Sequence, residues 1–432
     1  MKNNNEYLAA IDIGTSTTIA MLGRKTEEGK LEIAGIGEAL SKGVKRGVVI
    51  NMEETAGSIK QAVSQAKAAA KIDFTKAYVG IAGQHIKSLI NRGTKYIDNP
   101  EFEITQKDVD ELKANMYKIP IETNEEILHV IPQNYIVDGE PGIENPVGIS
   151  GKQLDGNYHI VIGQTSAAKN IEKCVKKAGV ELIELILEPL AAAQAVLTED
   201  EKEAGVVLVD IGGGTTDIAI YYDNIIRHTA VVPFGGNVVT NDIKEGCAIL
   251  LRNAEQLKLQ FGCALGELAD ENKIISIPGI SGRQSKEISF RNLAYIIQSR
   301  IEEIIDAILF EIEKSGMADK ISAGIVVTGG GAMLTGLSEL LTLQTGYDVR
   351  LGEILEILDD DSPEDMRNCM YATCIGLLLK GFENPATVNA LAPKTEDTDE
   401  ENTYEKEKPE PGGFFGSIKN KIFSLVEDKD LK

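Results

Sequence analysis

The stretch VVLVDIGGGTTDIAI, residues 206–220, decides what kind of fold this chain adopts. Val206 to Val209 form an unbroken apolar run, the pattern of a short strand covered on both faces. Asp210 ends that run, three glycines make a turn, and a second apolar run follows Asp217. Far earlier, LAAIDIGTSTTIAML, residues 8–22, says the same thing around Asp12. Each hairpin pattern is followed by a strand ending in small residues, AYVGIAGQ at 77–84 and GIVVTGGGAML at 324–334. Each half then closes with a small-residue or leucine-rich helix pattern, EPLAAAQAVL from Glu188 and YATCIGLLLKG from Tyr371. Self-similarity on this scale predicts two copies of one α/β unit facing each other across a cleft.

Two segments do not belong to the repeat. Between the elements of the first half, residues 85–162 carry their own signals. ITQKDVDELKANMYK predicts a helix opened by Thr105 as N-cap, with Asp108 at the third position after it. EEILHVIPQNYIVDG predicts a strand pair broken at Pro132, and NYHIVIG a closing strand. In the second half, residues 240–315 show helical periodicity, clearest in LAYIIQSRIEEIIDAILFEIEK. Residues 393–411 form an acidic linker: KTEDTDEENTYEKEKPEP has eight acidic and three basic residues and cannot bury enough apolar surface to order itself. Beyond it, residues 412–427 predict an amphipathic helix with Phe414, Phe415, Ile418, Ile422, Phe423, Leu425 and Val426 on one side. Lys419 and Lys421 lie on the other. That pattern predicts reversible attachment to a membrane surface, with the lysines toward anionic headgroups.

Composition narrows the partners. The 432 residues carry 44 Lys+Arg and 67 Asp+Glu, a net charge of −23. So acidic a chain is not expected to bind nucleic acid, which relies on cationic groups displacing counterions. The five cysteines are odd in number and form no C-x-x-C, which argues against a disulfide framework or a zinc site. The four histidines, His85, His129, His159 and His228, lack ligand spacing. No secretion signal precedes Asp12, and the uncharged stretch 321–338 reads as strand, glycine turn and helix start rather than a membrane span, so a cytoplasmic protein is expected.

A polyphosphate held by an acidic protein needs close backbone donors and a cation. Gly212, Gly213 and Gly214, with the hydroxyls of Thr215 and Thr216, suit one side of such a ligand; Gly14, Thr15 and Ser16 suit the other. Asp12 and Asp210, each ending a buried strand, are placed to hold Mg²⁺ through its water shell. Gly329, Gly330, Gly331 and Ala332, where a strand end opens a helix, offer a third donor cluster and a flat surface for a base, or else simply allow strand and helix to pack closely. Glu255 and Lys258, three apart on one helical face, suit ribose hydroxyls and the base, or an ion pair with each other. Glu188, before Pro189 at a helix start, either answers the helix dipole or orients a water on a terminal phosphate.

With these residues in view, the sequence resembles the actin, sugar-kinase and DnaK-type ATPase superfamily, and within it the FtsA family of bacterial cell-division proteins. HVIPQNYIVDGEPGIENPVGISGKQLDGNYHIV, residues 129–161, is similar to that family's inserted subdomain, and SKGVKRGVVINMEETAGSIKQAV, residues 41–63, to its first-domain signature. The resemblance implies an actin-like fold: subdomain 1A from 1–84 and 163–195, completed by the helix near 371–392; 1C from 85–162; 2A from 196–239 and 316–370; and 2B from 240–315. It implies ATP with Mg²⁺ in the cleft, bound by Asp12, Gly14, Thr15 and Ser16, by residues Asp210 to Asp217, and by Gly329 to Ala332. It further implies self-assembly into actin-like protofilaments and attachment to the cytoplasmic face of the cell membrane at the division septum. The implied partners are the C-terminal peptide of FtsZ at 2B, with Arg291 and Arg300 as candidates to meet it, and other division proteins at 1C. Many members carry a basic residue after the DIGTS string where this chain has Thr17, so at most slow ATP hydrolysis is expected. The superfamily alternative, a phosphotransferase, requires an acceptor pocket with a general base, and no separate Asp or His signals one.

Overall fold

The computed structural model describes residues 7–99, 101–277, 284–354, 356–360 and 362–383. The linker and the terminal amphipathic helix lie outside these residues.

Two five-stranded sheets share one topology. In the first, the strands run in the order Glu181–Leu187, Lys76–Ile81, Tyr7–Ile13, Thr17–Lys25, Leu31–Leu40. In the second, the order is Val349–Leu351, Ile325–Thr328, Val206–Ile211, Thr216–Tyr222, Ile225–Val232. Each is an antiparallel three-stranded meander to which two later strands add in parallel on the side of the first strand. The duplication expected from the paired hairpins is therefore present in the strand order and in the direction of each pairing.

The apolar strand runs follow from burial on both faces. Leu8 and Ala10 point into a core shared with Leu208, Ala219 and Val326 of the second sheet, while Ala9, Ile11 and Ile13 point into a core under the helices Met52–Ala70 and Thr165–Lys177. In the second sheet Val206 and Leu208 join the shared core, and Val207, Val209 and Ile211 face the helices Gly236–Cys247 and Phe290–Lys314. Alternate side chains thus face opposite layers and none faces water, so polarity does not alternate. Between the sheets sit the two closing helices, Glu188–Val196 and Ala372–Glu383, whose small and apolar faces fill the shared core.

Residues 87–164 hold a separate antiparallel sheet in the order Lys87–Tyr96, Gln153–Gln164, Glu125–Val137, Glu140–Ile143. The helix Gln106–Met116 packs on it through Val109, Leu112 and Met116. Thr105 caps this helix, its hydroxyl accepting from Asp108 N–H while the Asp108 carboxylate accepts from Thr105 N–H at 2.9 Å. Pro132 does not break the neighbouring strand in two, contrary to expectation. Asn157 pairs with Asn134 and Tyr158 with Pro132, so Gln133 is an extra residue in a bulge, and one continuous strand runs from Glu125 to Val137. A bulge accommodates proline because the local ladder is already interrupted there. In the second half, Phe290–Lys314 buries Leu293, Ile297, Ile301, Ile304, Ile305, Ile308 and Ile312, the stripe anticipated from its periodicity. All five cysteines are free and buried, and among the described residues no helix is long and apolar enough to cross a membrane.

Candidate functional site

The two aspartate hairpins meet head to head. A Cβ on Gly213 would collide with Ser16 Oγ, and one on Gly214 would lie 2.5 Å from Thr15 Oγ1, so only glycine permits the two turns to approach this closely. Ser16 Oγ donates to Asn237 Oδ1 at 3.3 Å, linking the first turn to the helix that follows the second sheet's meander. That helix is tied back to the second turn, Gly236 N–H donating to Gly212 O at 2.9 Å and Asn237 N–H to Gly213 O at 2.8 Å. Around this junction lies a cleft of about 130 Å³, roughly ten times the space one water requires.

The cleft is lined by Asp12, Gly14, Thr15, Ser16, Glu188, Asp210, Gly212, Gly213, Gly214, Thr215, Asp217, Gly329 and Gly330 among the residues picked from sequence. The strands reserve room for the acids. A Cβ on Gly80 would sit 3.0 Å from Glu188 Oε1, and one on Gly329 would overlap Asp210 Oδ1. Within the hairpins, Asp12 pairs across with Ile19 and Asp210 with Asp217, both partners lying seven positions on. The duplicated position is thus apolar in one half and acidic in the other, and both residues line the cleft.

Four carboxyl groups share this space with no lysine or arginine among the lining residues. Burial pushes Asp12 up to about 7, with Asp210 adding to the shift. Asp217 is pushed up to about 8 by burial and by Asp210, against the Thr215 hydroxyl that donates to it at 3.0 Å. Asp210 rises to about 6 through burial, opposed by a hydroxyl bond from Thr373 at 3.1 Å. Glu188 is raised well above the usual carboxylate range by burial and then by Asp12, Asp217 and Asp210. Asp210 and Asp217 are buried, while Asp12 and Glu188 keep partial exposure through the cleft.

Such a cluster calls for a cation. Asp12 Oδ1 and Asp217 Oδ1 are buried acceptors without a partner, an arrangement that is costly unless something donates to them. Among the described residues no three His, Cys, Asp or Glu side chains converge to hold an ion directly. An ion that keeps several of its own waters, as Mg²⁺ does, fits both observations, because it needs few direct protein ligands and its waters can donate to the remaining carboxylates.

These shifts predict how stability varies with pH. In the folded chain the cluster holds protons that the unfolded chain releases near pH 4, so the stabilisation from retained protons is lost as pH rises toward the folded values. The buried histidines His129 and His159, pushed down to about 4, act in the opposite sense but are neutral in both states above about pH 7. The melting temperature of the ligand-free chain, measured in chelator, is therefore expected to fall from about pH 7 to about pH 8. Millimolar Mg²⁺ should flatten the decline. A melting temperature that rises over this interval would contradict the charge assignment.

Thr216, Gly331 and Ala332 lie away from the cleft to which the sequence assigned them. The Thr216 side chain is fully buried and its hydroxyl donates to Phe234 O at 2.9 Å, away from the cleft. Gly331 packs on Ile211, and Ala332 is buried in the second-half core, so the third glycine cluster reaches the cleft only through Gly329 and Gly330. Lys258 Nζ bonds Glu255 Oε2 at 2.9 Å, Gly236 O at 3.0 Å and Thr240 Oγ1 at 2.8 Å, so the ion pair forms and braces the helix start behind the second turn. Arg291 pairs with Glu271, and Arg300 with Asp242 and Glu303. Gly47, Ala82, Met370 and Thr373 line the cleft without having been singled out. Thr373 was legible from the repeat, because it stands near the start of the second closing helix as Glu188 stands at the start of the first.

Comparison with known proteins places this arrangement. A profile of the family described as cell division protein FtsA matches residues 207–376, and one for the SHS2 domain inserted in FtsA matches 83–162. Cell division protein FtsA of Pseudomonas aeruginosa is 40% identical over 380 residues, covering 88% of this chain and 90% of that protein. Among solved structures, a chain of the PilM–PilN type IV pilus biogenesis complex aligns with a TM-score of 0.61 at 15% identity, covering 87% of this chain and 99% of that one. MreB5 of Spiroplasma citri bound to AMPPNP aligns at 0.52 and 17% identity, covering 88% and 96%. This chain shares their actin-like fold of two related α/β halves, and the sheet within residues 87–164 is its inserted subdomain. By its identity to full-length relatives and the match of its insert, the chain belongs to the FtsA family of bacterial cell-division proteins.

Proposed function

We propose that the cleft binds Mg-ATP and that nucleotide-bound chains assemble into actin-like protofilaments on the cytoplasmic face of the cell membrane, where they tether FtsZ during septum formation. The observation that carries this reading is the head-to-head meeting of two duplicated hairpins over four carboxylates that no lining cation neutralises. In this reading Gly14, Thr15 and Ser16 hold the phosphates from one side and Gly212, Gly213, Gly214 and Thr215 from the other. Asp12 and Asp210 receive the waters of Mg²⁺, which when bound supplies the charge that joins phosphate to carboxylate. Gly329 and Gly330, at the cleft end of the loop Gly329 to Ala332, receive the adenosine. Glu255 and Lys258 act on the ribose side, next to Gly236. Glu188 orients water toward the terminal phosphate once the neighbouring acids are compensated and it can ionise. Nucleotide in the related fold of MreB5 supports the same use of the cleft here.

The finer contacts belong to the same proposal. The terminal helix provides the lipid anchor, and the helical elaboration at 240–315 provides the surface for the acidic FtsZ peptide. Arg291 and Arg300 would meet that peptide by exchanging their present carboxylate partners for it. The inserted sheet at 87–164 is the surface for other division proteins. Electron microscopy of the full chain on a lipid monolayer with ATP tests the whole. Ordered filaments are expected; isolated particles at the same surface density would overturn the assembly reading.

A further inference from the structure

We propose that Arg46 is the cation that meets the phosphates of the bound nucleotide, held over the cleft by stacking on Phe234; this deepens the nucleotide reading of the cleft and rests on it. Arg46 and Gly47 form the tip of a two-residue hairpin between Val44–Lys45 and Val48–Val49. Both have positive φ, 51° for Arg46 and 73° for Gly47. A two-residue turn of this kind selects asparagine, aspartate or glycine at its first position, because a larger side chain is disfavoured in the left-handed region. An arginine kept there against its backbone preference points to a use for its side chain.

The guanidinium has no carboxylate partner among the described residues. Its Cζ lies 5.8 Å from the centroid of the Phe234 ring. That contact spans the two halves of the fold, and both ends are anchored on the turns that face the cleft. On one side Gly47 lines the cleft, and its N–H donates to Thr15 Oγ1 at 3.2 Å. On the other, Phe234 O accepts from Thr216 and the following Gly236 N–H donates to Gly212 O. A cation–π contact is weak enough to be exchanged for a phosphate, and Arg is suited to do so bidentately. Arg46 thus offers positive charge to a cleft whose own lining supplies four acids and no base.

Calorimetry of Mg-ATP binding to the full chain, its Arg46→Gly variant and its Arg46→Lys variant tests the assignment. Arg46→Gly removes the charge and also relieves the backbone, so it should melt no lower than the parent chain while binding Mg-ATP about tenfold or more weakly, with a shallower salt dependence. Arg46→Lys should recover most of the affinity. Unchanged affinity in Arg46→Gly would overturn the proposal, and so would equal losses in the glycine and lysine variants, which would assign Arg46 a role in packing alone. If the parent chain binds no Mg-ATP, the reading of the cleft fails first and the assignment of Arg46 with it.

Discussion

Asp210→Asn is expected to weaken Mg-ATP binding by about a hundredfold while leaving the ligand-free chain at least as stable as before. The two effects have one cause. Asp210 is buried and shares its surroundings with Asp12, Asp217 and Glu188, so its charge costs free energy until a cation arrives. The amide keeps an acceptor for the Thr373 hydroxyl, which spares the packing. It removes the charge that would attract the waters of Mg²⁺ and relieves the repulsion on its neighbours. At about pH 8, where the acids are most ionised, the variant should melt above the parent chain in chelator. Thermal melting with and without Mg²⁺, together with calorimetry, reads both effects. A variant that loses affinity and stability together would point to a collapsed cleft, and one that keeps its affinity would remove Asp210 from the site.

Removing residues beyond Pro393 is expected to abolish sedimentation with anionic liposomes, which the full chain should show. The tail sequence carries Phe414, Phe415, Ile418, Ile422, Phe423, Leu425 and Val426, and burying side chains of this size is worth about 1.5–3 kcal/mol each. Lys419 and Lys421 add roughly 1 kcal/mol apiece at an anionic surface. Apolar insertion therefore dominates. Replacing both lysines by glutamine should reduce binding modestly, whereas Phe414→Ser with Phe415→Ser should nearly eliminate it. Equal sedimentation of the full and shortened chains would refute the tail as the anchor.

The parts of the fold that were legible in sequence are those in which local pattern and tertiary environment agree. The duplicated hairpins could be read because strands buried on both faces must be apolar throughout and because the intervening turns need small residues. That the two sheets have the same strand order follows from the same repeat, whereas the order itself is seen only in the structure. The continuous strand through Pro132 was not legible: proline argues locally for a break, and only pairing with the strand Gln153–Gln164 shows that a bulge absorbs it. In the site, Asp12 and Asp210 stood out because the motif occurs twice; one such turn alone reads as readily as a hairpin. Thr216 did not behave as its neighbour Thr215 does, because strand alternation sends adjacent side chains to opposite faces and its hydroxyl finds Phe234 O instead. Gly47 and Met370 reach the cleft from segments distant in sequence, and no local pattern carries that information. At Glu255 and Lys258 the ion pair that the sequence offered as one reading is present in the structure.

A crystal structure of the full chain with Mg²⁺ and a non-hydrolysable ATP analogue tests most directly whether the twin hairpins grip one nucleotide. The expected result is a single hydrated metal whose waters reach both Asp12 and Asp210, with the phosphates lying between the Gly14–Ser16 and Gly212–Thr215 turns. A nucleotide bound elsewhere, or touching one hairpin while the other stays empty, would contradict it.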